Sequence, residues 1–265
     1  MGGMHGHAAH MSRPRLAPCW LAAAALLAAA PPCARAQDLA PGEETVFAVS
    51  FLNLPAGEGR IRVGSPEGDI WPVIFQARTS GAASLFDVRE HLVAYWDVPR
   101  RLSRGSDLQA FEVGDLHHDS ARFDASFRKV TVVEQRRGRA AKQKVLDVPE
   151  GALDLAGAFV WLRMQDLEAG REYQLPIVAG TSQFTLVAEV LARETVTTPA
   201  GVFPSFKIRV RTAFDGKFAT RRDSFLWLAE GSGHHMVKAS ADFVIGSIVA
   251  ELKSYRPGGP LAAAD

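Results

Sequence analysis

The 265-residue sequence predicts an all-β, mainly antiparallel fold. The expected form is a water-soluble β-barrel or β-roll of about 10–14 strands, with one inserted helix near 153–166. Three observations carry this. Residues 193–212 read as a hairpin, with Pro199 at the second and Gly201 at the fourth position of its turn. Its returning strand alternates, Phe206, Ile208 and Val210 facing one way and Lys207, Arg209 and Arg211 the other. Strand-like segments recur about every 10–12 residues, and a single stretch has helical periodicity. The three cations on one face argue against a transmembrane barrel, because each would cost roughly 2–4 kcal/mol near the bilayer midplane.

Residues 1–36 read as a cleavable secretory signal. Arg13 and Arg15 form its positive end, Leu16 to Ala30 is almost wholly apolar, and Ala34-Arg35-Ala36 suits a signal peptidase, so that Gln37 is the expected mature start. The true start is open among Met1, Met4 and Met11. The apolar run is shorter than the ~18–20 residues that span a bilayer. Export across a membrane follows. Both cysteines, Cys19 and Cys33, lie in this leader, and Pro31-Pro32 before Cys33 argues against lipid anchoring there. The remaining chain has no thiol, which excludes disulfides, a thiol nucleophile and a cysteine metal site. Cleavage removes three of 30 basic residues and none of 29 acidic ones, leaving a net charge of −2. That balance gives no general attraction to nucleic acid or anionic membrane.

After a lead-in at 37–42, residues 43–255 are expected to form a single domain, followed by a disordered tail at 256–265. Glu44 to Leu54 alternates as a first strand, and Pro55-Ala56-Gly57-Glu58-Gly59 reads as a turn. Ile70 to Ala77 follows, with Trp71-Pro72 marking an edge or a strand start. Ala82 to Phe86 suggests a short helical turn. Glu90 to Trp96 and Ser106 to Val113 are strands, and Ala121 to Glu134 reads as one long alternating strand. Gln135 to Lys144 is a polar, basic hairpin tip. The helix spans roughly Leu153 to Asp166, capped by Asp154, with Leu155, Phe159, Leu162 and Met164 as its apolar stripe. Strands resume at Tyr173, Phe184, Ser224, His235 and Phe243.

Chemistry is sparse. His117-His118 and His234-His235 are neighbours, and strand neighbours point to opposite faces, so each pair offers at most one metal ligand; both read as exposed turn histidines. His91 reads as a satisfied, half-buried side chain. No G-x-S-x-G elbow surrounds any serine, and no Gly-rich phosphate loop precedes the helix. Glu189 and Glu194 fall on a solvated strand face rather than across a cleft. No catalytic residue, cofactor or metal site is therefore predicted. Two candidate binding surfaces remain. One is an apolar interior lined by Phe47, Phe184, Phe206 and Trp227. The other is the basic cluster Arg136, Arg137, Arg139, Lys142 and Lys144, able to meet an anionic sugar, a lipid headgroup or a protein; it has no interleaved aromatics for single-stranded nucleic acid.

Ordered short matches run through the chain: Gly42-Glu43, Arg122-Phe123-Asp124, Asp147-Val148-Pro149, Trp161-Leu162-Arg163, Leu167-Glu168-Ala169-Gly170, Thr198-Pro199-Ala200-Gly201, Phe225-Leu226-Trp227-Leu228 and Ile245 to Leu252. By these, residues 42 to about 252 resemble the domain of unknown function 3108 (DUF3108) family of exported bacterial proteins. The resemblance implies a secreted or periplasmic antiparallel barrel or roll with one helix, and no established activity. The segment Ala229 to Val237 departs from the family's acidic turn followed by arginine and proline. The function expected is that of a non-catalytic cell-envelope protein binding an apolar or amphipathic envelope molecule (lipid or glycan) or a protein partner. The alternatives are a hydrolase of cell-wall or polysaccharide material and a structural factor in envelope or surface-polysaccharide assembly.

Overall fold

The computed structural model describes residues 39–81, 83, 87–112, 114–213, 223–231, 233–243 and 246–259. The first eight strands are β1 (Glu44–Phe51), β2 (Leu54–Val63), β3 (Ile70–Thr79), β4 (Arg89–Asp97), β5 (Leu102–Glu112), β6 (Asp115–Phe123), β7 (Lys129–Arg136) and β8 (Lys142–Asp147). A two-residue β9 (Leu153–Asp154) leads into the helix α1 (Leu155–Arg163). Then come β10 (Glu172–Ala179), β11 (Ser182–Thr198), β12 (Gly201–Ala213), β13 (Ser224–Ala229), β14 (Met236–Phe243) and β15 (Gly246–Arg256).

The strands among the described residues form one 15-stranded sheet, one strand beyond the upper end of the predicted range. The chain walks from β1 out to β8, crosses through α1, enters the far edge at β9 and returns to β15, which pairs antiparallel with β1. Among the described residues β9–β10 is the one parallel pair. The sheet ends overlap without joining in a hydrogen-bonded ladder. Val178 on β10 packs with Val130, Val132, Leu146 and Val148, and Gln183 Nε2 donates to the Asp147 carbonyl at 3.0 Å. The sheet is thus rolled rather than closed, and its β8 edge carries Lys142 and Lys144, charges that discourage edge-to-edge pairing.

The helix lies inside the roll. Ala158, Val160 and Leu162 join Phe47, Val73, Trp96, Ile208, Leu228 and Leu252 in one buried cluster. Each such large apolar side chain contributes about 1.5–3 kcal/mol by leaving water. Asp154 caps the helix as predicted: its Oδ1 accepts the Gly157 N–H at 2.6 Å, and its Oδ2 accepts the Ser103 hydroxyl at 2.7 Å. Burial raises the Asp154 pKa, while these hydrogen bonds pull it down. Asp154→Ala is expected to cost about 1–2 kcal/mol from the lost cap, with Ser103 orphaned in addition. Urea denaturation measures this, and Asp154→Asn, which keeps the cap acceptor, is expected to recover most of the loss.

Several local expectations are corrected. The first turn is not at 55–59 but at Leu52-Asn53, both in the left-handed region (φ 53° and 62°), the geometry of a two-residue type I′ hairpin. Gly57 instead sits mid-strand in β2, where a Cβ would strike the Arg78 carbonyl of β3. Pro72 is near the start of β3, but β3 lies inside the sheet between β2 and β4. Residues 121–134 are two strands. Asp124 breaks them by accepting the Arg128 and Lys129 N–H groups, with Phe127 at φ 55°, and Phe123 and Phe127 share one buried cluster. The helix starts two residues late because Leu153 pairs with Ile177, and Leu155 is 50% exposed rather than part of the buried stripe. After β15 the Gly259 N–H donates to the Pro41 carbonyl. The predicted leader at 1–36 with both cysteines, the end of the predicted tail at 260–265, and most of the predicted turn at 82–86 lie outside the described residues.

Candidate functional site

The interior around the predicted aromatic lining is filled. Phe47 and Phe206 are 2% and 5% exposed within the main core, and Phe184 packs against its margin. Trp227 does not join them. The β12–β13 register sets Phe206 opposite Leu228 and Trp227 opposite Lys207, so Trp227 lies on the other face. There Lys207 and Lys238 cover its ring, and its Nε1 donates to Glu194 at 2.5 Å.

Open space occurs where the overlapped sheet ends part. The inner faces of β4 to β7 extend past the β10–β11 turn, leaving a cleft of about 210 Å³. Leu92, Leu108, Ala121 and Val132 line one wall. Leu155, Ala156, Val178 and Ala179 line the other, and this explains the exposed Leu155 at the helix start. Polar groups enter only at Ser106, Asp119, Ser120 and Asp154. Asp154 is already engaged by Ser103 and Gly157. Asp119 accepts Arg136 Nη1 at 3.2 Å.

A second cleft of about 300 Å³ lies on the outer face, where Gln109, His118 and Gln135 form one cross-strand row, and Arg136, Arg137 and Arg139 border it at the hairpin tip. Of the predicted basic cluster, Arg136 is therefore paired, whereas Arg137 and Arg139 flank Gly138 (φ 73°) at the hairpin tip. Lys142 and Lys144 stand on the exposed β8 edge. On the inner face, partial desolvation and then the Glu112 carboxyl raise the Glu90 pKa, and His117 lowers it. Glu189 is held by Arg209 and Arg211 on the solvated face, and His91 meets Gln76 at 3.1 Å. Among the described residues no group of three or more His, Cys, Asp or Glu is placed to hold a metal ion.

A second constellation is buried and was not legible in the sequence. Arg163, 4% exposed at the end of α1, donates to Glu43 at 2.7 Å and, through Nε and Nη2, to the Gly233 carbonyl. The glycine-rich turn thus held brings His234 and His235 inward, where they are 8% and 9% exposed, correcting the expectation of exposed turn histidines. His234 stacks on Phe206, and His235 stacks on Tyr255 at 3.9 Å. Desolvation first, then the Arg163 charge, lowers both histidines to about 4. Glu43 and Arg163 lie 120 residues apart, so no local pattern announces the pair.

A single antiparallel sheet rolled about one helix, with an open cleft at its overlap, defines a β-barrel-like protein. The chain belongs to the DUF3108 family, proteins of unknown function, whose family model matches residues 46–253. A β-barrel-like protein of domain of unknown function DUF1849 from Brucella abortus has a similar fold. It aligns at a TM-score of 0.59 with 9% identity, covering 84% of this chain and 99% of that one. A "putative exported protein" with a YmcC-like fold from Bacteroides fragilis aligns at a TM-score of 0.36 and 12% identity, covering 84% and 100%. A "putative lipoprotein" from Parabacteroides distasonis aligns at 0.33 and 11%, covering 83% and 100%. No curated protein matches the chain. No helix among the described residues is long and apolar enough to cross a membrane.

Proposed function

We propose that this is an exported, non-catalytic envelope protein that binds an amphipathic envelope molecule in the cleft between β4–β7 and the start of α1. The observation that carries the reading is the apolar cleft itself, which leaves Leu155 exposed opposite Leu92, Leu108 and Val132. Apolar clefts with a few convergent polar groups are the usual form of small-molecule sites. The leader sequence supports export, and the packed core around Phe47 and Phe206 moves the binding surface to the overlap. Alkyl glucosides of increasing chain length, kept below micelle formation and titrated calorimetrically, test this. Each methylene buried is worth about 0.8 kcal/mol, or roughly fourfold in affinity, until the cleft is full. Leu155→Arg is expected to abolish binding without changing the circular dichroism. Binding that ignores chain length, or that survives Leu155→Arg, overturns the reading.

A further inference from the structure

We infer that the outer face of β2–β7 carries a separate binding site, a furrow that takes an extended acidic glycan laid across the strands. The site does not rest on the apolar cleft, which opens on the other face. The second cleft, bordered by Gln109, Leu116 and Arg137, continues through two more. One of about 300 Å³ shares Gln109 and Leu116 with it, and one of about 370 Å³ shares Arg89 with that. The strand registers explain why the three fall in line. One wall is the outward row Arg60, Gln76, His91, Gln109, His118 and Gln135. The other is the outward row Glu58, Arg78, Arg89, Phe111 and Leu116, closed by Arg137, whose N–H donates to the Leu116 carbonyl at 3.0 Å. Between them runs the backbone of the row from Gly59 to Arg136, whose side chains point inward. The furrow crosses six strands, and strand spacings of about 4.8 Å make it roughly 24 Å long.

The walls set the chemistry of the occupant. Among the described residues Glu58 is the one acid in the two rows, and Lys253, Arg60 and Arg78 already share it at 3.2, 3.6 and 3.7 Å. Glu112, Asp115 and Glu134 face inward, since Glu112 pairs with Asp115 and Glu134 with Asp119 in the same alternation as Ala110 and His117. Arg78, Arg89 and Arg137 therefore present guanidinium forks along one wall, suited to carboxylate oxygens. The opposite wall offers uncharged donors and acceptors. Gln76 and His91 meet at 3.1 Å, while the exposed Gln109 and Gln135 amides have no hydrogen bond within the described residues and suit hydroxyl groups. Alternating carboxylates and hydroxyls on an extended chain match both walls at once. Single-stranded nucleic acid lacks stacking platforms here, because Phe111 is the one aromatic ring in the two rows and Arg89 lies over it at 4.8 Å. A peptide cannot add as a strand, because β2–β7 are paired on both sides.

Calorimetric titration of the full chain at low salt with oligogalacturonates of increasing length tests this, against methyl-esterified oligomers of equal length and poly-L-glutamate. Affinity is expected to rise with length until the furrow is full. It is expected to exceed that of the esterified oligomer about tenfold, the gap closing as salt rises. Arg78→Glu and Arg137→Glu, both exposed and far apart in the furrow, are each expected to weaken the longest oligomer about fivefold, and the uncharged Gln109→Ala is expected to weaken it too. Leu155→Arg is expected to leave it unchanged, which keeps this site distinct from the amphiphile cleft. Equal binding of the esterified oligomer overturns the acidic ligand. Poly-L-glutamate binding as tightly and ignoring Gln109→Ala overturns the glycan in favour of an acidic peptide. Absence of binding, no gain with length, or loss of binding in Leu155→Arg overturns the furrow as a separate site.

Discussion

Replacing Arg163 by methionine is expected to lower the unfolding free energy by about 3–5 kcal/mol, the usual cost of stranding one partner of a buried ion pair. The guanidinium is 4% exposed, and its hydrogen bonds go to Glu43 and to the Gly233 carbonyl. Its removal leaves a carboxylate at 6% exposure with no counter-charge, and frees the turn that carries His234 and His235. For a domain of this size each kcal/mol moves the melting temperature by roughly 2–4 °C, so a shift on the order of 10 °C is expected in a thermal melt. The double variant Glu43→Gln/Arg163→Met separates the causes. It removes the stranded charge and is expected to recover a good part of the loss, because well-packed neutral groups often replace a buried pair at little cost. A loss under about 1 kcal/mol for the single variant would show that the pair behaves like an exposed bridge.

Acid is expected to destabilise the fold between about pH 6.5 and pH 4 through His234 and His235. Their folded pKa values, about 4, lie below the ordinary 6.5. In that window the unfolded chain binds protons that the folded chain refuses, so stability falls as pH falls. Above pH 6.5 both states are neutral and the term is flat. Each histidine accounts for up to about 3 kcal/mol at pH 4, from 1.36 kcal/mol per unit; the two are neighbours, so the sum is smaller than twice that. Protonation would place two cations beside Arg163, with Glu43, Asp166 and Tyr255 as the other ionisable groups around them. Asp154 and Glu90 act in the opposite direction, since raised carboxyl pKa values favour the folded state as pH falls. Comparing urea midpoints at pH 7.5 and 4.5 for the native chain and for His234→Phe/His235→Phe isolates the histidine term. The variant keeps the rings stacked on Phe206 and Tyr255 and is expected to show a smaller acid loss; an unchanged loss would remove the histidines as its cause.

The two features have different consequences for function. The Arg163–Glu43 pair ties the helix end to the lead-in of β1 and to the turn before β14, so it holds the helix within the roll. The cleft depends on that position, since its second wall is the helix start and the β10–β11 turn. Loss of Arg163 is therefore expected to weaken amphiphile binding indirectly, whereas Leu155→Arg acts at the cleft itself.

Strand identity and the helix cap were legible in the sequence because their causes are local. Alternation in 206–211 reports one wet face, and Asp154 reports a carboxylate that meets the first helical N–H groups. The first turn misled because Pro-Ala-Gly-Glu-Gly has turn composition, yet Gly57 is there for close approach of a neighbouring strand and not for a bend. The merged strand at 121–134 misled because Phe123 and Phe127 keep an even spacing across a tight turn made by Asp124. Trp227 was assigned by its apolar neighbours, and its face depends on a register with β12 that only pairing reveals.

By itself the sequence determined the fold class, the helix with its cap, and the absence of thiols after Cys33. These follow from periodicity, capping chemistry and composition, each readable within a few residues. Only the tertiary structure decided that the sheet overlaps itself rather than closing, that a cleft opens there, and that Glu43, Arg163 and the two histidines meet in the interior. Each of these joins residues tens to more than a hundred positions apart, and such contacts are set by how the whole sheet rolls around its helix, which no local pattern encodes.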